Sequence, residues 1–480
     1  MCNSERGAGY KMATAAERAE TLGYEAYQRW LGRVIPHLGL MGTAASSAET
    51  WLEGYEGWRY AGRAYQRKVF RRIMAWCGVL TDEERGAAAM TPEYEVAVVE
   101  HRVVAVYHRV VARSGGALGL PRELPLPAGG ADSDRLLRRL ARTAVRAVYA
   151  LGLDFGLVRI VSAPRGRLAV RGVNPFPASM PEGLAGKFAA ALADKAAADR
   201  AAQRVSTTDV ILGLDVEFVL TTSRGELVPA DRFLPRSGTA GYDAAMFGGS
   251  VVHALAELRP APSGEPRQLF ANLQRAMREA ALRITDPALE WRAGGSPAAG
   301  CYTGGHIHLS GVPLTFGLLR KLDDYLALPL SLLEDPRCLV RRPTFGWLGN
   351  ARLKPHGGFE YRTPASWLVS PIVTRGVIAL AKLIAAHGHV LTANPSLDLR
   401  IQRAYYEGRK EVLREWIPLW MNEIKQAPSY ASLAMDLEPF IHLIESGWTW
   451  NEDDDFRSVW GTPGFSDLSN DRFTFTTGSA

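Results

Sequence analysis

The sequence contains few cysteines and no cysteine pattern. Four occur among 480 residues, and none belongs to a C-x-x-C pair: Cys2, Cys77, Cys301 and Cys338. Zinc knuckles need closely spaced cysteines, and disulfide-stabilised folds need a framework of paired ones. The spacing argues against both classes, and we interpret the four residues as ordinary thiols.

Long apolar segments are also lacking. The opening stretch, MCNSERGAGYK, has no apolar core of the kind that a signal peptide requires. No uninterrupted apolar run approaches the roughly 20 residues that a helix needs to cross a bilayer. We therefore expect a cytoplasmic protein without a membrane partner.

Two common nucleotide-binding fingerprints are absent. The chain contains neither G-x-G-x-x-G nor G-x-x-x-x-G-K-[ST]. Both motifs place glycines where backbone amides must approach phosphates closely. A Rossmann fold and a P-loop fold are therefore not supported.

The length and charge are those of a multidomain globular protein with an anionic partner. With 480 residues and 47% hydrophobic composition, the length indicates roughly two to four domains. The formal charge of +6 favours a partner such as a nucleotide. The most basic run, WRYAGRAYQRKVFRR at 58–72, suits one solvated helix face, so we do not expect nucleic acid as a partner. The oligomeric state is left open.

The first part of the chain divides into two predicted regions. Residues 1–150 are predicted to be mainly helical, with amphipathic stretches near 14–32, 51–77, 92–113 and 133–151. Residues 151–204 combine two strands within 153–177, joined by a turn at Pro164–Gly166, with an alanine-rich helix at 183–204. We place the main domain boundary at about 205.

The remainder, 205–480, is predicted to be one catalytic domain with a helical C-terminal part. Its strands alternate apolar and charged residues, which indicates an antiparallel sheet with one wet face. The predicted class is therefore α+β. Helices are expected at 265–284, 314–332, 371–387, 404–425 and 431–446.

Two carboxylates interrupt a strand that is otherwise apolar. In ILGLDVEFVL, residues 211–220, Asp215 and Glu217 share one face with Gly213. Two like charges side by side repel each other and cost desolvation energy. A bound metal ion or a basic side chain would neutralise them. The polar residues of the other strands help to decide between these two possibilities.

Three further short strands present paired polar residues. HALAELRP at 253–260, GGHIHLSG at 304–311 and GGFEYRTP at 357–364 pair, respectively, Glu257 with Arg259, His306 with His308, and Glu360 with Arg362. Each pair alone has an ordinary explanation as a cross-strand ion pair or as hydrogen-bonded histidines. Together, carboxylates and imidazoles suit Mg²⁺ or Mn²⁺, and arginines suit phosphate. The set predicts metal-assisted phosphoryl transfer.

The same motifs resemble a known family. GLDVEF, PADRFLP, AELRP, GGHIHLS and RLKPHGGFEYRTPASWLVSP are similar to the carboxylate–amine ligase (amidoligase) family first noted in phage and in Gram-positive bacteria. The resemblance covers about 209–460. It implies an antiparallel sheet of the glutamine synthetase and glutamate–cysteine ligase type, packed with helices.

The resemblance also implies roles for individual residues. Metal ligands would be Asp215, Glu217, Glu257, His306 and Glu360. Contacts to the nucleotide phosphates would come from His308, Arg259, Arg352, Lys354 and Arg362. Direct participation in catalysis would fall to Arg362, Glu360 and His308.

Two positions depart from this pattern or stand outside it. The first acidic pair is Asp-x-Glu where the family has Glu-x-Glu, which puts Asp215 in doubt as a ligand. His356 could move a proton from the amine, but a turn histidine beside Gly357 and Gly358 needs no function. We interpret it as structural.

The implied reaction is an ATP-dependent ligation with Mg²⁺ or Mn²⁺. ATP phosphorylates a substrate carboxylate, and an amine then displaces phosphate from the acyl phosphate to form an amide. The partners would be a carboxylate and an amine among amino acids, peptides or cell-wall components. A phosphotransferase of the same fold, resembling guanidino kinases, a catalytically inactive binding protein and a metal-dependent nuclease stay open as alternatives.

A second, shorter resemblance lies upstream. LDFGLVRIVSAPRGRLAVRGVNPFP is similar to the closing strands of an ATP-grasp domain, where a strand ends in Glu-x-Asn and both residues bind magnesium. Here Gly172 replaces the glutamate, two positions before Asn174. The resemblance implies a degenerate, structural ATP-grasp-like segment.

Overall fold

The computed structural model describes most of the chain. The described residues are 15–38, 43–82, 90–112, 117–127, 130, 133–247, 250–355 and 357–461. His356 and Cys2, both interpreted above, lie outside these ranges. Contacts divide the chain into two compact units, one of Met1–Ala75 with Val79–Ala197 and one of Trp76–Gly78 with Ala198–Ala480. The three-region division made from the sequence stays a prediction.

The first unit contains a five-stranded antiparallel sheet. Its strands follow the order β3-β2-β1-β4-β5. They are β1 Met90–Val99, β2 Arg102–Ala112, β3 Ala117–Leu124, β4 Phe155–Ala163 and β5 Arg167–Asn174. The helices are α1 Ala15–Leu38, α2 Thr43–Glu53, α3 Ala61–Tyr65, α4 Arg67–Trp76, α5 Arg135–Ala150 and α6 Leu184–Ala202, with short 3₁₀ turns at Gly57–Tyr60 and Pro164–Gly166.

The helix predicted at 92–113 is wrong, because this segment forms strands β1 and β2. Strand β1 lies between β2 and β4, and residues on both of its faces are buried, among them Ala97 and Val98. A strand buried on both faces loses the apolar–polar alternation that identifies a strand in sequence. Glu100, at a φ of 52°, lies between the strands.

The predicted strands at 153–177 correspond to β4 and β5. They flank the 3₁₀ turn Pro164–Gly166, as the sequence predicts. Within the turn, Arg165 and Gly166 have φ values of 59° and 68°. The ATP-grasp-like interpretation of this segment stays a prediction.

The second unit contains an eight-stranded antiparallel sheet. The strand order is β12-β13-β11-β6-β9-β8, and β7 and β10 pair additionally with β6. The strands are β6 Ile211–Thr221, β7 Leu227–Val228, β8 Ala240–Phe247, β9 Ser250–Leu258, β10 Glu290–Arg292, β11 Gly305–Ser310, β12 Ala351–Leu353 and β13 Phe359–Tyr361. This sheet confirms the predicted α+β class with antiparallel strands.

The helices of the second unit include a buried core helix. They are α7 Pro266–Arg283, α8 Phe316–Leu322, α9 Leu328–Ser331, α10 Pro371–His387, α11 Leu399–Glu407, α12 Lys410–Arg414, α13 Ile417–Gln426, α14 Tyr430–Ser446 and α15 Arg457–Trp460. The core helix is α10, against which α7, α8 and α14 pack. A π-helical turn, Asp323–Ala327, joins α8 to α9. Short 3₁₀ turns lie at Ala230–Arg232, Pro336–Arg341, Gly388–Val390 and Pro395–Leu397.

Helix α10 begins at a strong local signal. The Ser370 side chain accepts hydrogen bonds from the Ile372 and Val373 N–H groups, and Pro371 occupies the first turn. By length and composition, 371–390 is the one stretch among the described residues that could cross a membrane. However, 78% of its most apolar window is buried inside the structure, as is usual for a core helix.

The continuous helix predicted at 404–425 is wrong in its length. The structure divides the segment into α11, α12 and α13. Gly408 ends α11 in the left-handed conformation, at a φ of 70°, and Pro418 lies in the first turn of α13. A left-handed glycine ends a helix, and a proline in the first turn begins one.

Candidate active site

Four strands of the second unit bring the predicted polar residues to one face of the sheet. Strand β6 lies between β11 and β9, and β13 flanks β11. In register, His306 is opposite Asp215, Glu257 is opposite Glu217, and His308 is opposite Glu360. The alternation seen in each strand therefore becomes a single polar surface.

Glu217, Glu257 and His306 form the first group on this face. One ligand atom from each lies within 4.8 Å of the others, and all three residues are buried. Glu217 Oε2 accepts a 2.7 Å hydrogen bond from the Gly304 N–H, while Oε1 lies 4.0 Å from His306 Nδ1. Two carboxylates and an imidazole at this spacing can bind one divalent cation.

The pKa values of the first group are shifted mainly by burial. Burial raises the pKa of Glu217 to about 7, although the Gly304 N–H opposes the shift. Burial, and then repulsion from Glu217 and Asp215, raises the pKa of Glu257 to about 8. Burial lowers the pKa of His306 well below its usual value, which keeps a ring nitrogen free to bind a metal. A bound cation would hold both carboxylates in their charged form.

Asp215, His308 and Glu360 form a second group beside the first. One ligand atom from each lies within 4.8 Å of the others. Asp215 Oδ2 lies 2.7 Å from His308 Nε2. Burial alone would raise the pKa of Asp215, but the hydrogen bond and charge of His308 outweigh it, so that pKa is lowered. Asp215 is therefore paired with His308, whereas Glu257 is paired with Arg259.

Glu360 is surrounded by cationic side chains. Its Oε2 accepts hydrogen bonds from Arg352 Nε at 2.9 Å and Nη2 at 2.5 Å, and Lys354 Nζ lies 2.8 Å from the same oxygen. Its Oε1 lies 3.2 Å from Arg362 Nε and 3.3 Å from His306 Nδ1. Three permanent cations on one carboxylate leave an excess of positive charge, which suits an anion such as phosphate.

The pKa of Glu360 reflects this arrangement. Burial alone would raise that pKa, but the adjacent His306 ring, the charge of Arg362 and the hydrogen bond from Lys354 lower it to about 2. Glu360 is therefore a carboxylate at every physiological pH. Because Oε2 is already engaged, Oε1 is the oxygen that can turn toward a metal.

Arg259 lies apart from the other predicted phosphate contacts. Its Nη2 donates hydrogen bonds to Glu257 and to the Tyr242 carbonyl, the latter at 3.5 Å. A Cβ at Gly241, opposite Glu257 in the register, would collide with the Arg259 guanidinium, so glycine makes room for it. Strands β13, β11 and β6 lie between Arg352 on β12 and β9, which Arg259 follows, so the structure does not place Arg259 with that cation cluster.

Sequence reasoning missed several contributors. Arg341 ends a 3₁₀ turn and lies outside any alternating strand, yet its charge acts on both Glu217 and His306. Asp243 on β8 adds negative charge near Glu257. Gly304 supplies the N–H that Glu217 accepts, and the glycine pair before H-x-H was a visible signal for it.

The described cysteines take no part in the chemistry of this face. Cys77, Cys301 and Cys338 are buried. Burial, reinforced by the charge of Glu217, raises the pKa of Cys301 to about 12. A thiol that stays protonated is a poor nucleophile and a poor metal ligand. The oxygen-rich donor set thus favours a hard cation over zinc.

The site lies within the part of the chain that matches a family model. The family is described as phage phiEco32-like COOH.NH2 ligase-type 2, and its model matches residues 212–462. The chain belongs to this family. The match includes every site residue named above, from Asp215 to Arg362, and it confirms the resemblance seen in the sequence. No curated protein matches the chain.

Two solved structures are similar to parts of this ligase-family chain. A bifunctional glutathione synthetase from Pasteurella multocida is 11% identical, with a TM-score of 0.34, over 53% of this chain and 52% of that one. The complex between the prokaryotic ubiquitin-like protein Pup and its ligase PafA gives 16% identity and a TM-score of 0.29, over 54% and 68%. The chain thus spans about half the length of the synthetase.

Proposed function

We propose that this protein is an ATP-dependent carboxylate–amine ligase that forms an amide or peptide bond through an acyl phosphate. The observation that carries the proposal is the juxtaposition on one sheet face. The buried group of Glu217, Glu257 and His306 lies beside Glu360 and its surrounding cations. His306 links the two, since its Nδ1 lies 3.3 Å from Glu360 Oε1. Metal-bound phosphates require such a pairing of acidic and basic groups.

The residues present fit a divalent cation. Glu217, Glu257 and His306 would hold Mg²⁺ or Mn²⁺, with Asp215 and Glu360 Oε1 as neighbouring donors. The raised pKa values of Glu217 and Glu257 support this fit, since a bound cation, added to the Arg259 guanidinium that already pairs with Glu257, would favour the charged form of both carboxylates. When bound, such an ion withdraws charge from phosphate oxygens.

The cationic side chains would bind and orient the transferred phosphoryl group. Arg362 and Arg352 offer planar forks for two phosphate oxygens, and Lys354 adds a point charge. Their contacts with Glu360 fix them before substrate arrives, so no reorganisation is needed during reaction. His308, held by Asp215, would contact the nucleotide. Arg259 would reach the nucleotide only from the other side of Glu257.

The chemistry needs no nucleophile from the protein. A carboxylate oxygen of the substrate attacks the γ-phosphorus of ATP, releasing ADP and leaving an acyl phosphate. The amine nitrogen then attacks the acyl carbon, phosphate leaves, and the nitrogen loses a proton to form the amide. Orientation and electrostatic stabilisation supply the rate, which agrees with the inert, protonated Cys301.

The proposed partners are small. An amino acid, a peptide or a cell-wall component would supply the carboxylate and the amine, and ATP with Mg²⁺ would come from the cytoplasm. We propose no role for a membrane or for nucleic acid. A catalytically inactive binding protein is disfavoured, because clustered buried carboxylates such as Glu217 and Glu257 cost desolvation energy that binding alone does not require.

The test is an activity screen on the full chain. The protein is incubated with ATP and Mg²⁺ against a matrix of carboxylates and amines, while ADP, phosphate and product mass are measured. We expect phosphate and an amide only when both substrates are present. ADP without phosphate, together with a stable phosphorylated amine, would instead identify a phosphotransferase, and ATP-independent cleavage of nucleic acid would identify a nuclease.

A further inference from the structure

Arg341 is a buried guanidinium inside the candidate site. It ends the 3₁₀ turn Pro336–Arg341 and is only 3% exposed. Among the described residues, no carboxylate forms an ion pair with it. A buried arginine normally has such a partner, because an isolated buried charge is costly. The absence points to another use of this side chain.

The guanidinium lies beside three stretches of backbone and forms hydrogen bonds with one of them. Nη1 donates to the Thr363 carbonyl at 2.7 Å, and Nη2 donates to the Arg362 carbonyl at 3.2 Å. Two glycines flank it, Gly346 from the turn that directly follows Arg341 and Gly304 from the segment before β11: a Cβ at Gly346 would lie 2.8 Å from Nη1, and a Cβ at Gly304 would lie 3.0 Å from Nη2. Both loops therefore approach the guanidinium with bare backbone.

Each of these segments carries a part of the site. The 362–363 segment carries the Arg362 side chain, which contacts Glu360. Gly304 donates its N–H to Glu217 Oε2 at 2.7 Å. The loop containing Gly346 leads to Asn350, whose carbonyl accepts the Arg362 N–H at 2.8 Å. A shift of Arg341 would therefore reach both the metal-ligand group and the cation cluster.

The neighbouring arginine behaves differently. Arg342 is 4% exposed and forms an ion pair with Glu334 at 2.5 Å. It also donates to the Tyr405 carbonyl, and its guanidinium lies 4.4 Å from the centre of the Tyr405 ring. None of these partners lies on the polar face of the sheet. Arg342 is thus a matched control with similar burial and a structural role.

We propose that Arg341 is a positioning residue for the ligase reaction. It holds the 362–363 backbone and the Gly304 loop in one geometry, so that Arg362 and Glu217 meet the phosphate and the metal correctly. This inference rests on the proposed function. Misplacement of reacting groups by about 1 Å can cost on the order of 100-fold in rate.

The central experiment compares two conservative variants, Arg341→Lys and Arg342→Lys. Lysine keeps the charge but cannot hold two carbonyls with a planar fork. For Arg341→Lys we expect kcat to fall about 10- to 100-fold while KM for ATP changes less than about threefold. Arg342→Lys should lose comparable thermal stability and keep kcat within about threefold, because the Arg342 guanidinium contacts Glu334 and Tyr405 and no residue of the polar sheet face.

A steric variant tests the same idea with Arg341 left intact. Gly346→Ala places a methyl group against Nη1 and against the Thr363 carbonyl, 3.2 Å from the new Cβ. We expect it to reproduce the fall in kcat. If both Arg341→Lys and Gly346→Ala fail to fold while Arg342→Lys folds, Arg341 supports the fold rather than the site, and the inference is overturned.

Mn²⁺ binding separates this inference from the proposed function. Electron paramagnetic resonance counts free Mn²⁺ and needs no substrate. We expect Arg341→Lys to weaken Mn²⁺ binding several-fold, since Gly304 no longer holds Glu217, and Arg342→Lys to leave it unchanged. A wild type that binds Mn²⁺ but never couples ATP to amide formation would overturn the ligase proposal alone. Equal kinetics and equal Mn²⁺ affinity in the two variants would overturn the role of Arg341 alone.

Discussion

At the scale of single residues, Glu217 is the most informative carboxylate. It is buried, accepts one backbone N–H and lies within reach of His306 and Glu257. Its two oxygens therefore serve different purposes, since Oε2 is held by Gly304 and Oε1 faces the imidazole. In the metal-binding role proposed for Glu217, this division would hold the ligand oxygen in place before an ion binds.

The first prediction concerns Glu217→Gln, which removes charge at nearly constant shape. Mg²⁺ or Mn²⁺ at about 100 times its Kd should stabilise the wild type by about 2.7 kcal/mol, and the variant should lose most of this gain. Thermal unfolding with and without metal measures it. Glu226→Gln, at an exposed turn of the same unit, should retain the full shift. Equal metal shifts in wild type and Glu217→Gln would contradict the ligand assignment.

The second prediction concerns Arg362→Lys, which keeps a positive charge but loses the planar fork. If Arg362 contacts the phosphoryl group as charge develops, turnover should fall by about 30- to 1,000-fold, the scale of one preorganised donor. Nucleotide affinity should fall much less. Steady-state kinetics combined with equilibrium ATP binding separates the two effects.

A control distinguishes chemistry from a general loss of an ion pair. Arg375 pairs with Asp436 at the surface of helix α10, so Arg375→Lys removes the same fork away from the site. It should leave turnover unchanged. If Arg362→Lys also retains full turnover, Arg362 is only the ion-pair partner of Glu360.

At the scale of elements, strand β13 connects the site to the core behind it. Glu360 faces the polar surface, while Phe359 and Tyr361 face the opposite side and are buried. The Tyr361 hydroxyl donates to Asp323 Oδ1 at 2.7 Å, at the first residue of the π-helical turn. A strand of three residues has few ladder hydrogen bonds, so this side-chain link holds it in place.

The third prediction follows from that link. Tyr361→Phe removes a hydrogen bond to a buried carboxylate and should destabilise the second unit by roughly 1.5–3 kcal/mol. Urea unfolding measures the change. Tyr24→Phe, which alters an exposed tyrosine, should have no such effect. An unchanged unfolding midpoint for Tyr361→Phe would show that Asp323 finds another donor.

Element boundaries show where sequence patterns stop being sufficient. The four polar strands were predictable because polar residues alternate with apolar ones along each of them, even though Glu217, Glu257, His306 and Glu360 are buried too. Strand β1 has apolar residues buried on both faces, so it lacks this alternation, and only its neighbours β2 and β4 establish its pairing. The break at Gly408 was visible in sequence but not decisive, since a glycine is also tolerated within helices.

At the scale of the whole molecule, the shifted carboxyl groups couple stability to pH. The pKa values of Glu217 and Glu257 rise on folding to about 7 and about 8, so the folded state binds protons that the unfolded state has released. Stability is therefore greatest below the unfolded pKa of about 4.5 for these two groups and falls as pH rises toward 8. The His306 pKa is lowered on folding, so this group makes stability rise with pH. Its effect no longer changes above the unfolded pKa of about 6.5.

The fourth prediction uses the window from about pH 6.5 to 8. Without metal, the free energy of unfolding should decrease with pH, by at most about 1.4 kcal/mol per pH unit for each carboxyl group. Glu257→Gln should flatten the decrease, and saturating Mg²⁺ should do the same because a cation favours the charged form. Asp324, whose burial raises its pKa to about 7, contributes to the remaining slope.

Chemical unfolding at several pH values, with and without Mg²⁺, measures this dependence. A wild-type stability that rises with pH across the window would show that Glu217 and Glu257 are ionised without a cation. A decrease that Mg²⁺ does not change would show that the group is not a metal site.

The sequence by itself determined the class of the fold, the family and the polar residues of four strands, because alternation and motif order depend only on local chemistry. Tertiary structure decided how these residues combine. Pairing across β13, β11, β6 and β9 places Glu360 in contact with three cationic side chains. It places Arg259 beside Glu257, away from those three. It also buries Arg341 among backbone carbonyls. No periodic pattern marks that arginine, since its surroundings include Gly304 and the 362–363 backbone, which are distant from it in sequence.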